Sequence, residues 1–440
     1  MRKTILIFLL LVSPWAHAAL NIQSWSLPSG ARVLFVENHS IPVLDLSVEF
    51  DAGTRRDPLQ AAGTATLANA MLARGLRQAQ LPDGTVEPEV SEAQISDAFA
   101  DMAAQRGGGA SIDRAGVSLR TLSSPEQRDA AVALLARVIA HPAYPEGPFQ
   151  RDKARILASI REELTKPQAI AERAFWPALY RDHPYALQPT VESVTPITRD
   201  ALVAFHQKHY VANRAVVTMI GDISRQQADA IARELTRRLP QGEPLPPLPP
   251  VKPAPPADTR IAHPATQSHI LLGVPALERG DPDFFPLLVG NYVLGGGGFV
   301  SRLTREVREK RGLAYSVYSY FSPLAQAGPF QAGLQTQKER TDDALKLVRD
   351  TIDSYLREGP TAKEVEAAKA NLVGGFPLRI DNNRKILDNV AMIGFYGMPL
   401  DYLDTWTSKV SKVSVADVRA AFQRKLSNRP LSTVVVGAAP

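Results

Sequence analysis

The chain has 440 residues, of which 45% are apolar and 22% charged, a composition typical of globular proteins with a buried core. The formal charge is +5 and falls to +3 (5 − 2) without Arg2 and Lys3, a charge too small and too scattered for a nucleic-acid-binding protein. Cysteine is absent, which excludes a thiol nucleophile, disulfides and thiolate metal sites. The ligands of any metal would have to come from carboxylates and from the eight histidines.

The first 18 residues have the pattern of a cleaved signal peptide. The basic pair Arg2-Lys3 precedes an apolar segment, 5–12, and Ala16-His17-Ala18 fits a small-x-small cleavage site. The apolar segment is too short to span a bilayer, and no later segment reaches 18 apolar residues. We therefore expect an exported, periplasmic protein that begins near Ala19 and has no membrane span.

Residues 19–239 are predicted to form a first domain of strands and helices. Alternation on either side of Pro28-Ser29-Gly30 indicates a β-hairpin, and the glycine run 107–109 leads into a later strand. The predicted strands are 22–27, 31–37, 43–50, 110–122 and 215–221. The predicted helices are 59–76, 91–103, 125–139, 147–164, 169–180, 198–209 and 224–239.

A proline-rich segment, residues 240–258, follows this domain. It has nine prolines in nineteen residues, which excludes a helix or a central strand. We predict an extended, semi-rigid linker between two domains. A ligand for proline-recognising domains is the alternative, but an exported protein rarely meets such domains.

Residues 259–440 repeat the plan of the first domain. The predicted strands are 259–262, 269–274, 313–321, 328–335 and 432–437. The predicted helices are one that ends at 294, 342–358, one that starts at the capping box of Thr361, 382–393, 402–410 and 414–426. The ends of the halves also match, residues 201–222 against 417–438, with Phe205 at Phe422 and Gly221 at Gly437 after one gap.

A repeat of roughly 215 residues indicates a duplication. We therefore predict an α+β fold of two homologous halves, each a mostly antiparallel sheet packed with helices and joined by the proline-rich linker. A groove between the halves is the expected binding site.

The segment 294–321 follows a run of four glycines, 295–298, that ends one helical pattern. We expect a short amphipathic helix next, with Val300, Leu303 and Val307 on its inner side. Gly312 then stands where a helix C-cap glycine belongs.

Arg308 and Tyr315 flank that glycine, seven positions apart. A guanidinium at a helix end and a phenol at the start of the next strand could together hold a peptide carbonyl or carboxylate. The alternative is that Arg308 is a solvated charge, favourable to the helix dipole, and Tyr315 a half-buried strand residue.

The histidines give little support to a metal site of their own. His206 and His209 lie at i and i+3 of a helix end, a spacing that can bind a metal, but the flanking Phe205 and Tyr210 favour a packed terminus. No G-x-S-x-G or S-x-x-K pattern supplies a serine nucleophile, and the four glycines lack the Lys-Ser/Thr of a phosphate-binding loop.

Five segments, in order over nearly the whole mature chain, resemble the pitrilysin/insulinase family of zinc peptidases, in the branch that includes mitochondrial processing peptidase. They are SGARVLFVEN, GTATLANAML, HPYALQPTVESVTPIT, KHYVANRAVVTMIGDI and LGGGGFVSRLTREVREKRGLAYSVYS. Each segment alone is a weak signal, whereas five at family-like spacing are a strong one.

Active members of that family carry the inverted zinc motif H-x-x-E-H in the helix that the second segment matches. Two histidines bind the metal there, and the glutamate activates its water. The aligned residues are Thr66, Asn69 and Ala70, none of which can perform these roles. The resemblance therefore implies a degenerate metal site, with no metal or cofactor in this chain.

Two further positions follow from the same alignment. The third zinc ligand of the family, a glutamate, falls near Ala158 or Ser159, while Glu162 and Glu163 one turn on are expected to be surface charges. The glycine-rich strand 107–112 corresponds to the family's edge strand, which adds substrate as an extra strand in active subunits.

The resemblance also assigns Arg308 and Tyr315, since an Arg and a Tyr at this spacing grip substrate in the C-terminal domain of related subunits. It implies the non-catalytic subunit of an exported heterodimeric zinc metallopeptidase, whose homologous partner holds the zinc and whose substrate is a peptide. A stand-alone pseudopeptidase that binds peptides or acts as a scaffold is the alternative. A third hypothesis, an autonomous peptidase with unusual ligands, would require metal in the isolated chain.

Overall fold

Two β-sheets, one in each half of the chain, organise the computed structural model, which describes residues 20–81, 83–252 and 255–437; the predicted signal peptide lies outside these ranges. The strands are β1 (Ile22–Ser26), β2 (Arg32–Glu37), β3 (Val43–Phe50), the short β4 (Gly75–Leu76), β5 (Ala79–Gln80), β6 (Val86–Glu87) and β7 (Val90–Ser91), β8 (Gln105–Ala110), β9 (Ala115–Leu122), β10 (Val216–Gly221), β11 (Asp258–Ala262), β12 (Gln267–Leu277), β13 (Val317–Phe321), β14 (Gly328–Gln337) and β15 (Ser432–Gly437). The helices are α1 (Thr64–Ala70), α2 (Glu92–Asp101), α3 (Pro125–Ala140), α4 (Glu146–Glu163), α5 (Pro167–Tyr180), α6 (Val191–Val194), α7 (Arg199–His209), α8 (Arg225–Thr236), α9 (Phe284–Asn291), α10 (Thr341–Glu358), α11 (Ala362–Gly375), α12 (Asn383–Tyr396), α13 (Tyr402–Lys412) and α14 (Val415–Leu426).

The two sheets share one topology. The first has the strand order β1-β2-β10-β3-β9-β8 and the second β11-β15-β12-β14-β13. In the first, β10 is parallel to β2 and antiparallel to β3. In the second, β15 is likewise parallel to β11 and antiparallel to β12. Apart from β1, each strand of the first sheet thus has a counterpart in the second, which confirms the predicted α+β fold of two homologous halves.

The glycines matched in the sequence occupy equivalent places in this repeat. Gly221 ends β10 with φ +156°, and Gly437 ends β15 with φ +135°. A Cβ atom at Gly221 would lie 2.3 Å from the carbonyl oxygen of Val43, and one at Gly437 would lie 2.7 Å from the Oγ of Ser268. Both strand ends therefore require glycine for the same reason, close approach to the adjacent strand.

In each half, one helix packs on the sheet of the other half. Helix α5 packs on β12 and β15, and α12 packs on β10 and β3. The contacts are close, because a Cβ atom on Gly273 of β12 would lie 2.5 Å from the ring of Phe175. One on Gly394 of α12 would lie 2.5 Å from the side chain of Leu34. This exchange makes the interface between the halves part of the hydrophobic core.

Asp113, in the turn between β8 and β9, joins the two halves through a buried polar cluster. Its carboxylate is 1% exposed and accepts hydrogen bonds from Arg55 (2.7 Å) and the Tyr185 hydroxyl (3.0 Å) of the first half. It also accepts hydrogen bonds from the Tyr396 hydroxyl (2.7 Å) and the backbone N–H of Ala325 (2.8 Å) of the second half. Four donors thus converge on one carboxylate at the interface.

The proline-rich segment has no helix or strand before β11 in its described residues. Its carbonyl groups are bound by the first half, where Arg56 donates to Pro246 at 2.9 Å and His183 donates to Pro249 at 3.0 Å. The many prolines of the segment disfavour both helix and strand, and these hydrogen bonds hold it against the first half. No helix in the described ranges is both long and apolar enough to cross a bilayer.

The first predicted helix, 59–76, was too long. Helix α1 covers only Thr64–Ala70, because Gly63 adopts φ +110° immediately before it. The carboxylate of Asp57 accepts hydrogen bonds from the backbone N–H groups of Gly63 (2.7 Å) and Ala65 (2.6 Å), which caps the helix from a distance in sequence. The end of the predicted helix instead forms β4, which pairs with β7.

Candidate functional site

Helix α1 presents the three positions of the degenerate metal site. Thr66 and Ala70 are exposed and lie one turn apart, the spacing at which two side chains point the same way. Asn69 is 6% exposed, and its Nδ2 donates to the carbonyl oxygen of Gly116 and to the hydroxyl of Tyr210, both at 3.0 Å. This face offers a hydroxyl and a methyl where a metal would need imidazoles, and an amide that cannot act as a base.

The position of the family's third zinc ligand also has no imidazole or carboxylate. Ala158 and Ser159 lie exposed on α4. One turn on, Glu162 forms an ion pair with Lys166 at 2.6 Å, and Glu163 forms one with Arg173 at 2.7 Å. Across residues 20–81, 83–252 and 255–437, no three His, Asp or Glu side chains cluster so as to hold a metal ion.

Replacing Asn69 with alanine should lower the free energy of unfolding by about 1–3 kcal/mol, because a buried carbonyl and a buried phenol lose their partner. Urea denaturation measures this loss. Thr66→Ala is the matched control on the same helix, where the exposed side chain should change stability by less than about 0.5 kcal/mol. Equal effects of the two substitutions would contradict a structural role for the buried amide.

His206 and His209 are directed to two different backbone carbonyl groups. The Nε2 of His206 donates to Ile139 at 2.7 Å, and the Nδ1 of His209 donates to Asp51 at 3.0 Å. The ring of His206 stacks on that of Tyr210, with centroids 4.9 Å apart. The two imidazoles therefore serve as buried hydrogen-bond donors in the packed helix end.

Acid should destabilise the protein because these two histidines are buried in their neutral form. Burial lowers the pKa of His206 and of His209 to about 4, from an ordinary value of 6.5. Between pH 6.5 and 4 the unfolded chain binds protons that the folded chain does not, so stability is lost as the pH falls through this window. For His206 the loss is on the order of 3 kcal/mol.

Asp57 opposes this trend in part, since burial raises its pKa to about 6 and its protonation favours the folded state on acidification. Urea midpoints measured between pH 7 and pH 4.5 test the balance. His206→Gln, which keeps a side-chain donor but cannot titrate, should reduce the slope of stability against pH. The same slope in the variant and in the parent protein would contradict the assignment.

Strand β8 forms the outer edge of the first sheet, beside α1. Its backbone groups on the far side from β9 face no further strand of the sheet. A Cβ atom on Gly109 would meet nothing within 4 Å, so the face of the strand is uncovered at this residue. Such an edge can accept an extended peptide as an additional strand.

Arg308 and Tyr315 are brought together in the second half. The Arg308 guanidinium lies 5.0 Å from the centre of the Tyr315 ring and 4.7 Å from that of Phe299. Both rings are exposed, Tyr315 by 83% and Phe299 by 68%. In the described part of the chain the Arg308 side chain makes no hydrogen bond or ion pair, so its N–H donors are available between two aromatic rings.

Local structure around this cluster differs from the prediction in two ways. Leu303 and Val307 are buried as expected, but Val300 is 68% exposed, so its placement on the inner side was wrong. The segment Thr304–Glu309 is π-helical, a form often found at functional sites, and ends before Gly312 at φ +58°. The segment is therefore π-helical where an α-helix was predicted, and Gly312 lies beyond its end.

Strand β13 begins at Val317, so Tyr315 lies in the segment before it. The alternative of a half-buried strand residue was therefore wrong. Phe299 was missed by the sequence analysis, although an aromatic residue directly after four glycines was a visible signal. The α1 face and the Arg308 cluster lie in different halves, and no hydrogen bond, ion pair or ring contact joins them within the described residues.

Comparisons with known proteins point to one family. A family model described as the peptidase M16 inactive domain matches residues 196–372. An uncharacterized zinc protease of Streptomyces coelicolor is 31% identical over 253 residues, but the match spans only about half, 55%, of that relative and 56% of this chain. An uncharacterized zinc protease of Mycobacterium tuberculosis is 30% identical over 307 residues, which cover 68% of this chain and 69% of the relative.

A Helicobacter pylori relative named non-peptidase homolog YmxG is 25% identical over 394 residues, 88% of this chain and 87% of its own. Among solved structures, a peptidase M16 inactive domain from Pseudomonas fluorescens is 37% identical with a TM-score of 0.89, covering 96% of this chain and 98% of that one. The periplasmic protease PqqL of Escherichia coli shares the fold at 18% identity, with a TM-score of 0.79, over 96% of this chain and 46% of its own.

Proposed function

The chain belongs to the peptidase M16 family, and on that premise we propose that it is the non-catalytic subunit of an exported heterodimeric zinc metallopeptidase. The partner is a homologous subunit that binds zinc through H-x-x-E-H, and the substrate is a peptide. The observation that carries the proposal is the α1 face, where Thr66, Asn69 and Ala70 provide neither a zinc ligand nor a base. The hydrolytic step therefore belongs to the partner.

Arg308 and Tyr315 are this chain's contribution to the shared site. A guanidinium with available N–H groups can bind a carboxylate or a peptide carbonyl through charge-assisted hydrogen bonds. Its position between the rings of Phe299 and Tyr315 restrains it before the substrate arrives, which reduces the entropy lost on binding. The exposed phenol supplies a second hydrogen bond, and together they orient a peptide against the partner's metal.

A second candidate function is favoured by strand β8. Its open edge can hold an extended peptide without any chemistry, as a stand-alone pseudopeptidase that binds peptides or acts as a scaffold would require. The two functions differ in whether a zinc-bearing subunit is recruited.

Co-expression separates them. The tagged chain is produced together with a homologous companion that carries H-x-x-E-H, and the purified material is analysed for subunit ratio, zinc and peptide hydrolysis. We expect a one-to-one complex with one zinc per pair and hydrolysis that a chelator abolishes. A companion whose motif glutamate is replaced by glutamine is the control, which should assemble without turnover. Purification of this chain alone as a homodimer, with the companion left behind, would favour the scaffold instead.

A further inference from the structure

A second concave site lies in the second half, where the start of α9 meets α13. The cavity has a volume of about 410 Å³, within the range of small-molecule sites. Its apolar lining includes Phe284, Phe285, Met398, Tyr402 and Val413. None of the residues assigned to peptide hydrolysis lines it, and the proposed function gives it no role.

Three cations surround this apolar lining, namely Arg279, Lys409 and Lys412. The Lys409 ammonium lies 5.6 Å from the centre of the Phe285 ring and 6.0 Å from that of Tyr402. Within the described ranges none of the three forms an ion pair with an acidic side chain. The Nε of Arg279 is buried and has no hydrogen-bond partner there.

The acidic residues at the same cavity are already engaged. Asp281 forms an ion pair with Lys425, and Asp417 caps its own helix by accepting hydrogen bonds from the backbone N–H (2.9 Å) and the hydroxyl (2.7 Å) of Ser414. Lys425 itself is thereby neutralised. Among the described residues, three cations therefore face one remaining carboxylate without an ion pair, that of Asp417, and the cavity carries a surplus of positive charge over an apolar lining.

Tyr402 adds a neutral donor to this arrangement. Burial raises its pKa to about 12, so the phenol keeps its proton at physiological pH. No hydrogen bond to its hydroxyl occurs among the described residues. A hydroxyl, a guanidinium group that lines the cavity and an ammonium group over aromatic rings form a donor set suited to an anion.

From this juxtaposition we propose that the cavity binds a small carboxylate with an apolar or aromatic body, the chemistry of a free peptide C-terminus that ends in an apolar residue. The apolar body packs against the rings of Phe285 and Tyr402, which contact each other with centroids 6.0 Å apart, and the carboxylate meets Lys409 and Arg279. The charge of the ligand complements the surplus cations, and the ring faces match an aromatic side chain. The site is independent of the zinc-bearing partner, so its test does not depend on the proposed function.

Isothermal titration of the full chain with N-acetylphenylalanine tests the proposal, with N-acetylphenylalaninamide as the uncharged counterpart. We expect saturable one-to-one binding of the acid and at least about tenfold weaker binding of the amide, because the amide loses the charge-assisted contacts. Lys409→Met should weaken binding of the acid about tenfold. Lys346→Met, at another exposed lysine that does not line the cavity, should leave the affinity unchanged.

Thermal unfolding of each variant confirms that the fold is kept, and Arg279→Lys provides a second substitution that retains the charge but loses the planar guanidinium. A pentapeptide ending in phenylalanine and decanoate serve as further probes. Preference for the peptide assigns the ligand to a C-terminus, and preference for decanoate assigns it to a fatty acid, both within the proposed chemistry. Equal binding of acid and amide, no saturation by either, or full affinity in Lys409→Met would overturn the proposal.

Discussion

Replacing Asp113 with alanine should lower the free energy of unfolding by about 3–5 kcal/mol, because the change leaves a buried charge without one of its counter-ions. Burial disfavours the charged form of Arg55, but Asp51 and Asp113 nevertheless hold the pKa of its guanidinium above the ordinary value. Without Asp113, the Nη1 of Arg55 and the hydroxyls of Tyr185 and Tyr396 lose their acceptor in a largely buried cluster. Guanidinium denaturation measures the effect.

Two control variants test whether the loss of stability is specific to the polar cluster around Asp113. Tyr396→Phe removes one of the four donors and should cost about 1 kcal/mol, because the carboxylate keeps its other three partners. Asp97→Ala removes an exposed carboxylate on α2 and should have almost no effect. A loss for Asp113→Ala no larger than that for Asp97→Ala would show that the polar cluster does not hold the two halves together.

The double variant Arg308→Ala with Tyr315→Phe should reduce kcat/KM of the assembled pair by about tenfold to a hundredfold. The guanidinium lies between two exposed rings and has no partner among the described residues, so its loss removes substrate contacts and little else. Steady-state kinetics on the complex and its subunit ratio are the two measurements. Assembly should be unchanged, since the fold of the second half does not depend on either side chain.

Lys310→Ala is the matched control for this variant. It removes a neighbouring exposed cation whose charge is already paired with Glu306 at 2.8 Å, so turnover should stay within about twofold of the parent. Unchanged turnover in the double variant would remove Arg308 and Tyr315 from the proposed mechanism, and loss of assembly would reassign them to the subunit interface.

Much of the fold was predictable because local sequence signals agree with it. The capping box predicted at Thr361 forms and fixes the start of α11, and capping boxes at Ser91 and Ser224 fix the starts of α2 and α8. The duplicated ends of the two halves, with Gly221 and Gly437 at equivalent strand ends, predicted the repeated sheet. Such features depend on residues close in sequence or on a repeat that the sequence displays directly.

What was missed depends on contacts between distant segments. The exchange of α5 and α12 between the sheets has no counterpart in any local pattern. The four donors on Asp113 come from both halves of the chain. The i, i+3, i+7 pattern placed Val300 on the inner side, but Val300 ends a separate 3₁₀ turn, Gly298–Val300, and the extended Ser301 separates it from the helix that follows.

The candidate site was predictable only in part for the same reason. The sequence alone marked Thr66, Asn69 and Ala70 as unable to hold zinc, since that conclusion needs only residue identity. It did not predict that the Asn69 amide is bound to Gly116 and Tyr210, nor that Phe299 completes the cluster around Arg308. The first feature arises from the packing of residues far apart in the chain, and the second from the irregular turns between Phe299 and Arg308.

The zinc content of this chain purified alone, measured together with its hydrolysis of peptides, tests the central claim most directly. The α1 face supplies no imidazole and no base, so we expect zinc well below one equivalent and no hydrolysis that a chelator can abolish. Addition of the zinc-bearing companion should then produce chelator-sensitive turnover. One equivalent of firmly bound zinc together with peptide hydrolysis by the lone chain would contradict the division of labour between two subunits.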